Sequence, residues 1–179
     1  EKLMMIREKE AEEGRIVEVA KAMCVAARTA PKAKGVDKLH TAILTGEEKE
    51  QLANEMDRIA EELGFGFFHR DANNLRASQA VVLIGEENAV RGLNAGCNFC
   101  GMGECKSCME AGARCAYTGI DLGIAVGSAV STATDARVDN RIMFSIGRAA
   151  QEMHLLGEDV CQIMGIPLSA SGKSPFFDR

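Results

Sequence analysis

The sequence has no tryptophan and few aromatic residues of any kind, 4%. Little is therefore available to stack nucleobases, and no run of Lys or Arg supplies the footprint of a general nucleic-acid binder. Acidic residues outnumber basic ones, 26 to 21, for a formal net charge of −5. No apolar stretch approaches the ~20 residues that span a bilayer. Met4, Met5 and Ile6 sit among charges with no apolar run behind them, unlike a secretory leader. Internal repeats and low-complexity tracts are absent too. What remains, 46% hydrophobic and 26% charged over 179 residues, is the composition of one globular domain, 1–179, expected in the cytoplasm.

Cysteine is the exception to this sparseness. Seven is an odd number, and without an export signal it argues for reduced thiols over a disulfide framework. Cys24 and Cys161 stand alone and read as buried small hydrophobes. The other five follow the pattern Cys97-x2-Cys100-x4-Cys105-x2-Cys108-x6-Cys115. Soft thiolates at such density favour zinc or iron–sulfur centres. A four-cysteine zinc site usually separates two Cys-x2-Cys knuckles by about 12 or more residues, and the gap between Cys100 and Cys105 is too short for that. A cuboidal cluster, whose irons spread its ligands apart, suits the pattern better. Zinc, a thiol redox pair and a two-iron centre drawn through Cys100, Cys105 and Cys108 stay as alternatives. Gly96, Gly101, Gly103 and Gly112 let the backbone turn and bring N–H groups towards sulfur, which helps set the potential of an iron–sulfur centre.

Around this stretch the hydrophobic periodicity predicts an amphipathic helix over 8–30, ended by Pro31. A strand over 39–44 follows, and then a helix opened by a Thr45–Glu48 capping box and closed at Gly64. Residues 66–69 and 80–85 read as strands, the second covered on both faces. Residues 92–115 read as an inserted Cys/Gly-rich loop. Residues 116–133 read as a helix with Gly119, Gly123 and Gly127 on one face. Such a face implies tight core packing, a second subunit or a flat ligand. A helix over 138–156, started by Asp135 or Asp139, and a strand over 160–164 complete the chain. The expected fold class is α+β: a mixed sheet of about four strands flanked by four longer helices.

No other catalytic constellation stands out. His-Glu-x-x-His is absent, and Gly172-Lys173-Ser174 lacks the upstream glycine of a phosphate loop. His40, His69 and His154 are scattered and read as structural side chains. Asp121 and Asp139 read as caps or surface groups ahead of acid–base roles.

Cys97-x2-Cys100-x4-Cys105 followed by a later cysteine resembles the four-iron domain of the corrinoid iron–sulfur protein and of Rnf-type electron-transport subunits. That resemblance implies a [4Fe–4S] cluster on Cys97, Cys100, Cys105 and Cys115. The gap before the last cysteine is shorter here than in those proteins, so Cys108 stays as the competing fourth ligand. More specifically, the chain is similar to prokaryotic "ferredoxin domain-containing" proteins of unassigned function. The similar segments are Ala27–Gly35, Asp121–Ala129, Val138–Met143 and the tail from Gly165 to Arg179. A third resemblance, to flavin-dependent nitroreductases, rests on a helix running into Ala-Pro and a strand, a small-residue central helix and a Gly-x-Pro turn. It implies an FMN-binding homodimer. In such a protein the flavin would lie against Gly123 and Gly127, with Lys173 among the basic candidates Arg28, Lys32 and Lys34. The segment Arg7-Glu-Lys-Glu-Ala-Glu-Glu13 lacks the Arg/Ser set those enzymes use for the FMN phosphate. The expectation is a cluster-binding redox protein, either an electron carrier or a reductase, working with an unidentified redox partner. A non-enzymatic metal-binding module is the alternative.

Overall fold

The computed structural model describes residues 5–177; Met4 and the last two residues of the tail lie outside it. In chain order the elements are α1 (Glu8–Thr29), β1 (Leu39–Leu44), α2 (Gly46–Leu63), α3 (Phe67–Ala77) and β2 (Ala80–Glu87). Then come α4 (Cys105–Glu110), α5 (Ala116–Asp135), β3 (Asp139–Asn140), α6 (Phe144–Glu152) and β4 (Val160–Ser169).

The sheet has the order β1-β2-β4-β3, and every pairing is antiparallel, so the expected mixed sheet is replaced by an antiparallel one. β2 lies between β1 and β4 and is buried along nearly its whole length. Its alternation divides the core in two. Ala80, Val82 and Ile84 face α1 and α5, while Val81 and Leu83 face α2, α3 and α6. Two apolar layers on a covered central strand explain why Ala80–Ile84 carries no polar residue.

Several expected boundaries move. Residues 66–69 do not form a strand but lead into α3, whose Phe68, Asp71, Ala72 and Leu75 are buried at helical spacing. The aromatic pair at its start imitates β propensity, and packing against α2 overrides it. The fourth strand is the two-residue β3. The helix expected over 138–156 begins only at Phe144, because Asp139 and Asn140 pair with β4 and Met143 exchanges backbone hydrogen bonds with Gly165. Met143 occupies the N-cap position, so neither Asp135 nor Asp139 caps α6. Thr45 is the N-cap of α2 but makes no side-chain capping bond. The expected stops hold: Ala30 caps α1 just before Pro31, and Gly64 closes α2 in the left-handed region.

α6 approaches β4 closely enough to exclude any side chain at two positions. A Cβ on Gly147 would stand 1.8 Å from the Ile163 carbonyl oxygen, and one on Gly165 would stand 2.2 Å from Ile146 Cγ2. Gly123 and Gly127 of α5, by contrast, have nothing within 4 Å of such an atom, and Gly119 meets only Gln162 Oε1 at 3.8 Å. Core packing therefore does not account for the α5 glycines. That face looks outward, with Ile120 and Ile124 exposed beside it.

Candidate metal centre

The segment joining β2 to α5 carries the cysteines. It is largely irregular, with a 3-10 turn at Asn94–Gly96 and the short helix α4. Gly101 and Gly103 both sit at φ 76°, where a side chain would be strained, and they fold the chain back between Cys100 and Cys105. Asn98 holds this turn, its Oδ1 accepting the Gly103 N–H at 2.8 Å. Asn88, just beyond β2, pins the far end: its Nδ2 donates to the Ala113 carbonyl at 3.1 Å, and its Oδ1 accepts the Cys115 N–H at 3.0 Å.

The result is a small pocket whose wall contains Cys97, Cys100, Cys105, Cys108 and Cys115, with Arg91 and Tyr117 among the other lining residues. Four of the thiols are partly exposed, and Cys108 is buried. The Asn94 N–H donates to Cys105 Sγ at 3.4 Å and the Phe99 N–H to Cys97 Sγ at 3.4 Å. The Cys108 thiol donates to the Ala113 carbonyl at 3.6 Å. Burial, and then the neighbouring Cys100 thiol, push the Cys108 thiol up from its ordinary range. Among the described residues, no three His, Cys, Asp or Glu side chains converge on one point as ligands of a single ion would. Backbone amides already directed at sulfur suit a thiolate-bound centre.

Cys24 and Cys161 lie outside the pocket wall. Cys24 is partly buried against the α1 side of the core, and Cys161 Sγ donates to the Glu86 carbonyl at 3.4 Å. Burial raises both thiols.

Beside the pocket lies a group of charges that the sequence reading missed. Arg91 donates through Nε and Nη2 to Asp121 Oδ2, at 3.1 and 2.8 Å, and through Nη2 to Glu86 Oε1. Asp121 also accepts the Ala33 N–H. Asp121 is thus neither a cap nor a surface group. Glu86 carries the only sequence signal, a carboxylate at an inward position of an otherwise apolar strand.

The residues singled out for a flavin do not share a site within the chain. Lys173 lines an open groove with Arg70, Asn74, Arg141, Phe176 and Phe177, on the α3 side of the sheet. Gly123 and Gly127 face outward from α5 in the opposite layer. Lys32 is occupied at the end of α1, where Nζ donates to the Ala27, Arg28 and Ala30 carbonyls. Arg28 pairs with Asp37. His40 pairs with Glu87, and His69, on α3 and not a strand, bridges Asp57 and Glu61.

A relative from Archaeoglobus fulgidus, described only as an uncharacterized protein, is 41% identical over 98% of both chains. Residues 111–179 match the family model "Uncharacterized protein containing a ferredoxin domain (DUF2148)". The chain belongs to this ferredoxin-domain family. The matched stretch includes Cys115 and begins after the other four cysteines of the pocket. Among solved structures, the fold is similar to the nitroreductase CinD from Lactococcus lactis in complex with nicotinic acid. The TM-score is 0.56 and the identity 16%, over 97% of this chain and 86% of that one. It is also similar to a mutant of the FMN and NADPH-dependent nitroreductase NfnB from a Sphigopyxis strain. There the TM-score is 0.58 and the identity 10%, over 87% and 78% of the two chains. The family member thus has an α+β, nitroreductase-like fold. Among the described residues, no helix is long and apolar enough to cross a membrane.

Proposed function

We propose that the protein is an iron–sulfur redox protein that holds a [4Fe–4S] cluster on Cys97, Cys100, Cys105 and Cys115. The observation that carries this reading is the gathering of five thiols from 19 residues of chain around one pocket, with two backbone amides already donating to sulfur. When bound, the cluster supplies one-electron chemistry. The protein's own contribution is to orient the ligands and shelter them. Asn88 fixes the far end of the segment and Asn98 its internal turn, the amides of Asn94 and Phe99 stabilise negative charge on sulfur, and Tyr117, with the exposed Phe99 ring stacked on it at 5.6 Å, forms part of the wall. Cys108, buried and bonded to a carbonyl, is the fifth thiol and not a ligand.

The test is iron and acid-labile sulfide analysis of protein purified without oxygen, with visible and EPR spectra. Iron and sulfide in equal amounts are expected, retained in C108S and lost in C97S, C100S, C105S and C115S. One zinc per chain with no iron would make this a metal-binding module instead. Iron lost in C108S but kept in C115S would exchange the fourth ligand.

A second reading, a flavin site, is favoured by the groove that Lys173, Arg70 and Arg141 line, where Lys173 would meet an anionic phosphate beside Arg70, paired with Asp71, and Arg141, which donates to the Phe176 carbonyl. Mass spectrometry of any released cofactor decides it. The outward α5 face, with Gly123, Gly127, Ile120 and Ile124, is the surface on which a second copy of the chain would seat to form a homodimer. Sedimentation of the intact protein tests that.

A further inference from the structure

The Arg91 that forms part of the cysteine pocket's wall is also the centre of a buried charge triad. The side chains of Arg91, Glu86 and Asp121 are each no more than 2% exposed. One guanidinium faces two carboxylates, so the triad is negative overall when both are ionised. Its hydrogen bonds are shared unequally. Asp121 is satisfied by Arg91 and by the Ala33 N–H. Glu86 Oε1 accepts from Arg91, but Oε2 is buried with no hydrogen-bond partner among the described residues. An unpaired buried oxygen is expensive to keep charged and much less so once protonated.

The groups around Glu86 leave it no other relief. Arg91 approaches from the segment after β2, Asp121 from α5 and Lys32 from the end of α1. Its cross-strand neighbours, Leu39 on β1 and Gln162 on β4, do not titrate. The Cys161 thiol on β4 reaches only its backbone carbonyl. Arg91 cannot swing away, because Nη1 is tied to the Ala89 carbonyl at 2.6 Å.

We propose that Glu86 is a proton-linked positioning residue of the cysteine pocket: Oε2 takes a proton from solvent when negative charge is added among the thiols, and gives it back when that charge leaves. The inference rests on the iron–sulfur reading above. One electron enters from a one-electron donor, and one proton passes from water to Glu86 Oε2, so the total charge of pocket and triad does not change. Arg91 couples the two, since it borders the pocket on one side and, among the described residues, is the only cation bonded to Glu86 on the other. Burial already pushes the Glu86 carboxyl up to about 6 against the pull of Arg91, and Asp121 pushes it the same way. Negative charge added in the pocket raises it further, so its protonation responds to that charge above about pH 6.

The experiment is a redox titration of the iron-loaded protein across about pH 5 to 8, with dithionite as the one-electron donor, together with reduced-minus-oxidised infrared difference spectra. Above about pH 6 the midpoint should fall with rising pH, by at most tenfold in equilibrium constant per pH unit, about 59 mV for a one-electron couple, and level off once the reduced protein no longer holds the proton. A protonated-carboxyl band should appear on reduction. Glu86→Gln should abolish both the slope and the band while keeping the iron. Should that variant fail to fold, the wild-type slope and band decide the matter, and Arg91→Lys should displace the slope to a different pH. A wild-type midpoint that does not change with pH, or a slope that persists in Glu86→Gln, overturns the inference and leaves the cluster standing. Protein without iron overturns the reading beneath it as well.

Discussion

The glycines of α5 and those at the contact of α6 with β4 are alike as letters and opposite in what they do. Gly119, Gly123 and Gly127 recur every four residues, the spacing that announces a close approach, yet at Gly123 and Gly127 an added Cβ would meet open space. Gly147 and Gly165 belong to no pattern, yet backbone or side-chain atoms stand within 2.2 Å of where their Cβ would lie. Regular spacing marks a face; only the opposing element decides whether that face is pressed. The largest expected effect tests this contrast. Gly147→Ala drives a methyl into the Ile163 carbonyl, a backbone atom that cannot rotate aside, and should cost at least about 3 kcal/mol. A urea midpoint unchanged from wild type would show that α6 can slide on the sheet.

Adjacent carboxylates on β2 repeat the lesson with charge. Strand alternation sends Glu86 inward and Glu87 outward. Hydrogen bonds from Lys38 and His40 hold Glu87 below the usual carboxylate range, whereas burial raises Glu86 from 4.5 to about 6. The folded form of Glu86 binds its proton more tightly than the unfolded chain does. Its contribution to stability is therefore complete below about 4.5 and lost as the pH rises through about 6. The loss is about 2 kcal/mol. Glu87 acts in the opposite sense, with its contribution present above its unfolded value and lost in acid. Chemical denaturation of wild type and Glu86→Gln at several pH values separates the two. The wild type should lose about 2 kcal/mol relative to the variant between about pH 4.5 and 7, and parallel curves would place Glu86 in a solvated site.

Much of the framework was legible because it rests on local periodicity. The stripe Ile16, Val19, Ala20, Met23 and Ala27 gives α1, and the unbroken apolar run of β2 gives a covered strand. The cysteines were legible as one site because short gaps force proximity. What escaped depends on distant partners. Phe67 and Phe68 look strand-like until α2 is there to pack on α3. Val138–Met143 looks helical until β4 offers Asp139 and Asn140 a partner. Nothing near Asp121 in sequence signals Arg91, 30 residues earlier, and a triad assembled from three separate elements has no local signature.

Asn88 provides a smaller test, since it joins the rigid sheet to the cysteine segment. Asn88→Ala removes the acceptor of the Cys115 N–H and the donor to the Ala113 carbonyl. Both are near the surface, so the expected loss is only about 1 kcal/mol in global stability. The local effect is larger: hydrogen exchange across residues 111–116 should accelerate while β2 and β4 keep their protection. Uniform acceleration would mean that the segment and the sheet open together.

The smallest expected effect returns to α5. An exposed glycine inside a helix is less favourable than alanine by about 1 kcal/mol, and at Gly123 no neighbour within the chain opposes the added methyl. Gly123→Ala should therefore stabilise a dilute, monomeric sample by about 0.5–1 kcal/mol. If a second copy seats on this face, the same methyl intrudes between two backbones, and the dimer should dissociate more readily than wild type in sedimentation at higher concentration. One substitution thus reads two surfaces with opposite signs. A gain at every concentration would leave the α5 stripe without a partner, and a loss in the monomer itself would mean that the helix is pressed from a side not apparent in the fold.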